Sequence, residues 1–342
     1  MKIGVLCPSE IAIRRFMPSL SKIHDLAYVG VGVNSARERY GEFLPPQSDI
    51  DNMLAVERNK AEVFVNNYGG KIFNSYEEML TSDELEAVYI PLPPALHFKW
   101  AKMALNCGKH VLLEKPSTIC VEDTNKLISI ASKAGLALHE NYMFAFHAQL
   151  DAIRNIINSG RIGEVRLYRI SFGFPLRAAN DFRYNKALGG GALIDAGGYT
   201  IKYATKLLGE DAKVVCAQMN YTSDFNVDMY GSGTMTNAGG LTVQLAFGMD
   251  NNYKCELEAW GSRGCLVSGR VLTAPDGFVP TATIRIGNKD EIISLPADDA
   301  FEKSILHFCE CVRNKSTREN NYKEMSRQAH LVDEFRMKSN NA

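Results

Sequence analysis

The sequence predicts an α/β domain built on a parallel sheet, followed by an α+β domain built on a mostly antiparallel one. Three observations carry this. Over the first half, short β-branched runs alternate with helix-patterned stretches, as parallel strands joined by crossover helices require. From about residue 165 the pattern changes to successive strand-like runs broken by glycine or asparagine turns. The 342 residues exceed what one small core uses and suit two domains, drawn here as 1–142 and 143–342.

In the first domain KIGVL, LAYVGVGV, EAVYIPL, KHVLLEK and GLALHEN read as strands. SYEEMLTSDE and HFKWAKMALNCG read as helices between them, with Gly108 closing the second as its C-cap. Residues 41–70 are longer than a simple connection needs and read as a surface insertion ahead of a helix. In the second domain VRLYRISFGF, KVVCAQMNYT, GLTVQLAFGM, KCELEAWGS, GCLVSGRV and TATIRIG read as strands. Helices are expected at 147–160, 195–208, 300–313 and 322–338.

Composition excludes several classes of function. Charged residues make up 23% and apolar residues 46%, with a formal net charge of −1 and no long run of one sign. Neither nucleic acid nor a membrane surface finds an electrostatic partner in such a chain. No apolar run is long enough to span a bilayer, and the N-terminal run is too short for a signal peptide. The eight cysteines are scattered, without CxxC or paired histidines at ligand spacing. Reduced thiols in a cytoplasmic protein without a metal are the expectation.

Two stretches carry chemistry. In HVLLEKPST (110–118) an apolar strand ends on Glu114, Lys115 and Pro116, and ligands of parallel sheets sit at the carboxyl ends of strands. Pro116 also keeps Lys115 out of helical geometry. The bland alternative is a surface lysine after a strand. In ALGGGALIDAGGYTIKYATKLLG (187–209) three glycines, Gly189 to Gly191, allow a close backbone approach before a helix that begins near Asp195. Asp195, Tyr199 and Lys202 then share one helix face. A glycine-rich turn before a helix is also common as plain structure, and Tyr199 reads equally as a core tyrosine.

Taken together with ENYMFAFHAQ (140–149), SGRIGEVR (159–166), DFRYNKALGGGALIDAGGY (181–199) and the β-rich remainder, the chain resembles one family over nearly its whole length. It resembles the glucose–fructose oxidoreductase/inositol dehydrogenase (Gfo/Idh/MocA) family. The resemblance implies a Rossmann domain followed by an α+β domain with a large open-faced sheet. It also implies hydride transfer between a nicotinamide and a sugar-like alcohol or ketone. Lys115 matches the lysine of the family's EKP element, with Glu114 and Pro116 fixing it. Tyr199 stands where many members have histidine, as in the subgroup with deoxysugar 3-ketoreductases and dihydrodiol dehydrogenases. Lys115 and Tyr199 are then the acid/base pair, and Asp195 orients substrate hydroxyls. Tyr142, Arg183 and Tyr184 are further substrate-binding candidates, a solvated loop being the alternative for the last two. His147 reads as a packing residue.

The dinucleotide turn is altered. Aligned on the first strand, the family's G-x-G-x-x-[GA] becomes Cys7-Pro8-Ser9-Glu10-Ile11-Ala12. The two glycines that shape the turn and admit the pyrophosphate are gone. The helix N-terminus still offers N–H groups and Ser9 can donate, so Cys7, Ser9, Glu10 and Ile11 remain cofactor candidates. After the second strand Asn34, Ser35 and Arg37 replace the carboxylate of an NAD site, which favours NADP while leaving NAD open. Pro91, Leu92 and His97 resemble the family's loop after strand four, and join Glu114 and Lys115 in the expected cofactor site.

The leading expectation is an NADP-dependent oxidoreductase acting on a sugar or nucleotide-linked ketosugar. Dihydrodiol or aldose oxidation is one alternative, and a non-catalytic nucleotide-sensing regulator of the same fold is another. A homodimer or homotetramer formed through the open sheet is expected under each.

Overall fold

The computed structural model describes residues 1–340. The chain divides into two compact units. One comprises residues 1–118, 122–141 and 304–326; the other comprises 119–121, 142–303 and the described residues from 327 onward. The first unit therefore includes a C-terminal stretch that a single cut at 142/143 assigns elsewhere.

The first unit holds six parallel strands: β1 (Lys2–Val5), β2 (Ala27–Gly32), β3 (Lys71–Phe73), β4 (Ala87–Ile90), β5 (His110–Glu114) and β6 (Leu138–Asn141). Their order is β3-β2-β1-β4-β5-β6, the doubly wound arrangement, with its reversal of direction between β1 and β4. β4 is buried along its whole length and β5 through its centre, as strands covered on both faces must be. Leu6, Val88, Ile90, Val111 and Leu113 join Trp100, Leu127 and Tyr322 in one core cluster.

Residues 41–70 correct an expectation. They are not an insertion ahead of a helix, because Gln47–Tyr68 is itself a helix of 22 residues. Only Ile50, Ala61 and Phe64 of it are buried, so its sequence lacks the broad apolar stripe that would have revealed it. The helix expected over HFKWAKMALNCG runs Pro94–Asn106, with Gly108 at φ +75° just beyond it.

The second unit is built on eight strands: β7 (Val165–Gly173), β8 (Lys213–Tyr221), β9 (Asp228–Thr236), β10 (Thr242–Gly248), β11 (Lys254–Gly261), β12 (Cys265–Gly269), β13 (Thr281–Ile286) and β14 (Lys289–Ser294). The order is β14-β13-β12-β11-β7-β10-β9-β8, and only β7 and β10 run parallel. The sequence pattern did not announce β9. Its Gly231 and Gly233 replace apolar residues because the Phe247 and Phe335 rings lie where a Cβ would be, at 2.6 and 2.4 Å. One sheet face is buried in the core of this unit. The other bears an Arg169–Glu258 ion pair at 2.9 Å and the exposed Tyr230, Trp260 and Ile292.

Helices Ala148–Asn158 and Ala300–Arg313 fall where expected, and the last helix is longer, Lys315–Asn340. Among the described residues no helix is long and apolar enough to cross a membrane. All eight cysteines are free thiols.

Candidate functional site

In the first unit the candidate residues collect at the carboxyl ends of the strands. β5 ends on Glu114, which is partly buried. Its Oε1 accepts from the Tyr89 hydroxyl at 2.6 Å and from Asn141 Nδ2 at 2.7 Å, while the Lys115 N–H reaches Oε2 at 3.3 Å. Burial pushes the Glu114 carboxyl above its usual range, and these donors pull the other way. The glutamate thus anchors the turn that carries Lys115. His97, fully buried, ties this turn to the loop after β4, with its ring nitrogens 2.8 Å from the Pro116 carbonyl and 2.7 Å from that of Leu92. Burial, reinforced by the Lys115 charge, brings His97 down to about 4 despite its two carbonyl neighbours. Pro91 and Leu92 are buried in that loop.

The altered turn after β1 keeps a functional helix start. Ser9 caps it, its Oγ accepting the Ala12 N–H at 3.2 Å and its carbonyl the Ile13 N–H at 3.1 Å. The exposed Glu10 and Ile11 then head the helix, where N–H groups lack intrahelical partners. The Glu10 carboxylate is paired with Arg14, which offsets its charge at the helix start. Cys7 faces the interior beside Tyr76, its thiol pushed up to about 11 by burial. At the end of β2, Asn34 is buried and its Oδ1 has no hydrogen-bond partner among the described residues. An unsatisfied acceptor here fits a ribose hydroxyl. Ser35 is occupied as the cap of helix Ala36–Tyr40, while Arg37 on that helix is exposed. These residues fit a dinucleotide.

The second unit carries Asp195 and Tyr199. Asp195 lies on a π-helical turn, Leu193–Gly197, which passes into the α-helix Gly198–Leu208. Such turns recur at functional sites. The glycine run before it approaches the chain itself: a Cβ at Gly190 would lie 2.2 Å from the Arg183 carbonyl oxygen. Gly191 has φ +126° and packs on Asp228, whose carboxylate accepts the Leu193 N–H at 2.6 Å. Arg183 Nε donates to Asp195 at 2.7 Å and its Nη1 to Asp181 at 3.1 Å. Burial works against that guanidinium, but the two aspartates outweigh it and hold Arg183 above its ordinary value.

Tyr199 is half-buried in an aromatic cage. The rings of Tyr142, Phe144 and Phe172 lie 5.3, 5.6 and 5.3 Å from it, centroid to centroid. Tyr142 is almost fully buried and forms a wall of this cage. Tyr184 is also buried, with its hydroxyl accepting the Arg177 N–H at 2.8 Å and its ring stacked on Phe225. Lys202 is buried. His147 packs as expected, its Nδ1 accepting the Gln149 N–H at 3.1 Å. Asn141, Tyr89 and Asp228 were missed. Asn141 ends a parallel strand, which is a usable signal; Asp228 has none, because its partners lie far off in sequence.

Residues 26–142 match the oxidoreductase family with an NAD-binding Rossmann fold, and residues 150–267 match the GFO/IDH/MocA C-terminal domain. The dTDP-3,4-didehydro-2,6-dideoxy-α-D-glucose 3-reductase of Actinomadura kijaniata is 34% identical, over 98% of this chain and 95% of that protein. The chain belongs to the GFO/IDH/MocA family. As a member of this oxidoreductase family it is an NAD(P)-dependent oxidoreductase. The Streptomyces violaceoruber reductase of the same name is 33% identical, over 98% of this chain and 94% of that one. Among solved structures, the A. kijaniata 3-ketoreductase in complex with NADP and TDP-benzene superposes with a TM-score of 0.88 at 33% identity, covering 99% of this chain and 97% of that one. That GFO/IDH/MocA relative has also been solved with one tyrosine changed to phenylalanine and with one lysine changed to alanine.

Proposed function

We propose that this protein is an NADPH-dependent 3-ketoreductase acting on a nucleotide-linked ketosugar, with Lys115 and Tyr199 as its acid/base pair. The observation that carries this reading is the Lys115 turn, anchored through Glu114 to Tyr89 and Asn141 at the end of a central parallel strand. Full-length likeness to dTDP-ketosugar 3-reductases supports the substrate class. The varied lysine and tyrosine of the A. kijaniata enzyme stand as far apart in sequence as Lys115 and Tyr199 do here, which supports the pair.

In this reading the first unit binds the cofactor. The N–H groups of Glu10 and Ile11 take the pyrophosphate, Asn34 Oδ1 accepts a ribose hydroxyl, and Arg37 pairs with a 2′-phosphate. NADPH, when bound, supplies the hydride. Lys115 and Tyr199 hold the carbonyl oxygen of the sugar, and the Tyr199 phenol gives it a proton, as the developing alkoxide needs. The Arg183–Asp195 pair orients sugar hydroxyls or the diphosphate. The exposed sheet face with Tyr230, Trp260 and Ile292 serves association of identical chains.

The test is NADPH oxidation with a dTDP-linked 3-ketosugar, followed at 340 nm (roughly the reduced-nicotinamide band), for the wild type and for Lys115→Met and Tyr199→Phe. Each variant is expected to lose about 10²- to 10⁴-fold in kcat while NADPH binding holds. Wild-type rates in both would remove the acid/base assignment.

A further inference from the structure

Behind Lys115 a row of buried polar side chains runs through the first unit, and the proposed reaction uses only its near end. Asn321 Nδ2 donates to the Leu138 carbonyl at 2.7 Å, which turns its Oδ1 to His139 Nδ1 at 2.8 Å. His139 Nε2 lies 3.0 Å from Ser304 Oγ, and Ser304 Oγ lies 2.8 Å from Asn141 Oδ1. Asn141 Nδ2 then donates to Glu114 at 2.7 Å. His139, Asn141, Ser304 and Asn321 are all buried.

The donors in this row can be counted. Asn321 presents an oxygen, so His139 Nδ1 carries a proton. An ionised Glu114 takes the Asn141 N–H, so Asn141 presents its own oxygen to Ser304 and receives the single hydroxyl proton. Ser304 can then only accept from His139 Nε2, which must be protonated too. A carboxylate at Glu114 therefore goes with an imidazolium at His139. When Glu114 holds the proton instead, the Asn141 amide turns over, the serine hydroxyl points back to Nε2, and a neutral imidazole satisfies the row. Opposite charges joined by satisfied hydrogen bonds are far cheaper to bury than either alone.

We propose that His139 is a positioning residue for Lys115: as an imidazolium, acting through Ser304 and Asn141, it holds Glu114 as the carboxylate that carries the lysine turn. Its kinetic consequence rests on the reading of Lys115 given above; its protonation state does not. The titratable and charged groups on the elements around His139 include His307, whose ring is 5.2 Å away, and Cys311 on helix Ala300–Arg313; Arg318 and Tyr322 on helix Lys315–Asn340; Glu114 and His110 on β5; and the buried Glu140 beside it on β6. His110 is itself pushed down, by burial and by Arg318.

Nitrogen-15 spectra of the histidine side chains, with His139 assigned by its loss in His139→Gln, test the charge state without any turnover. At neutral pH both ring nitrogens of His139 are expected to carry protons in the wild type, and only one in Glu114→Gln. A neutral His139 in the wild type, or one unaffected by Glu114→Gln, would overturn the proposal. Ser304→Ala cuts the row without touching the lysine turn. It is expected to lower kcat about tenfold, the scale on which groups behind a primary residue act, and to shift the pH profile of kcat while the NADPH KM holds. An unchanged kcat and pH profile would remove the positioning role. If the wild type reduced no ketosugar, the functional reading would fail while the spectra still decided the state of His139.

Discussion

Arg183 Nε donates to Asp195 Oδ2 at 2.7 Å, so the aspartate that the sequence marks for substrate is held in an ion pair within its own unit. The side chains keep only 20% and 12% of their exposure, so the pair is screened less than a surface one. Arg183 retains Asp181 when Asp195 is removed. Asp195→Ala should therefore cost about 1–2 kcal/mol in urea unfolding, less than the full loss of a buried partner. In an Arg183→Met background the same change should cost clearly less, because this ion pair is already broken. Equal costs in both backgrounds would show that the contact carries no coupling.

Gly198 sits at the start of its helix with the Tyr142 hydroxyl 2.3 Å from where a Cβ would lie. Glycine to alanine in a helix ordinarily gains about 1 kcal/mol. Here the clash decides the sign, and Gly198→Ala should destabilise by about 1–3 kcal/mol and disturb the cage around Tyr199. Tyr142→Phe removes the offending oxygen. Thermal unfolding of the double variant should then show Gly198→Ala as neutral or stabilising.

His97 titrates at about 4 in the folded protein, against an ordinary value of 6.5. Between those values the unfolded chain binds the extra proton and the folded one does not. The stability linked to His97 is thus fully present above pH 6.5 and is lost as pH falls towards 4. The loss amounts to about 3 kcal/mol. Denaturant melts of the wild type and His97→Asn across this range should show the wild type losing ground to the variant by that amount as pH drops. Parallel curves would mean that His97 is not held neutral by burial.

Arg37 is exposed and makes no ion pair among the described residues. If it meets a 2′-phosphate, Arg37→Ala should weaken NADPH binding about tenfold, the worth of one charge-assisted contact, and leave NADH unaffected. Calorimetric titration with both cofactors reads this directly. Equal losses for the two would place Arg37 elsewhere.

The sequence by itself determined the elements whose signal is local. The run HVLLEK became the central strand β5, and the stretch 300–313 became a helix, because apolar periodicity reports burial residue by residue. The position of Lys115 just past the end of a parallel strand was legible for the same reason, and strand ends in such sheets are where ligands gather, which is why the lysine is proposed for the site. Helix Gln47–Tyr68 was not legible, since a mostly solvated helix leaves a weak stripe.

Only the tertiary structure decided what those residues do to one another. Glu114 is an anchor because Tyr89 and Asn141, 25 and 27 residues away, converge on it from the neighbouring strands. Gly190 and Gly191 serve the packing of Arg183 and Asp228 against their own turn, and Asp228 reaches the Leu193 N–H across 35 residues. The His139 row draws on β6 and two C-terminal helices, with 165 residues separating His139 from Ser304. Such contacts leave no local trace, because a hydrogen bond constrains direction and distance between groups whose spacing along the chain is arbitrary.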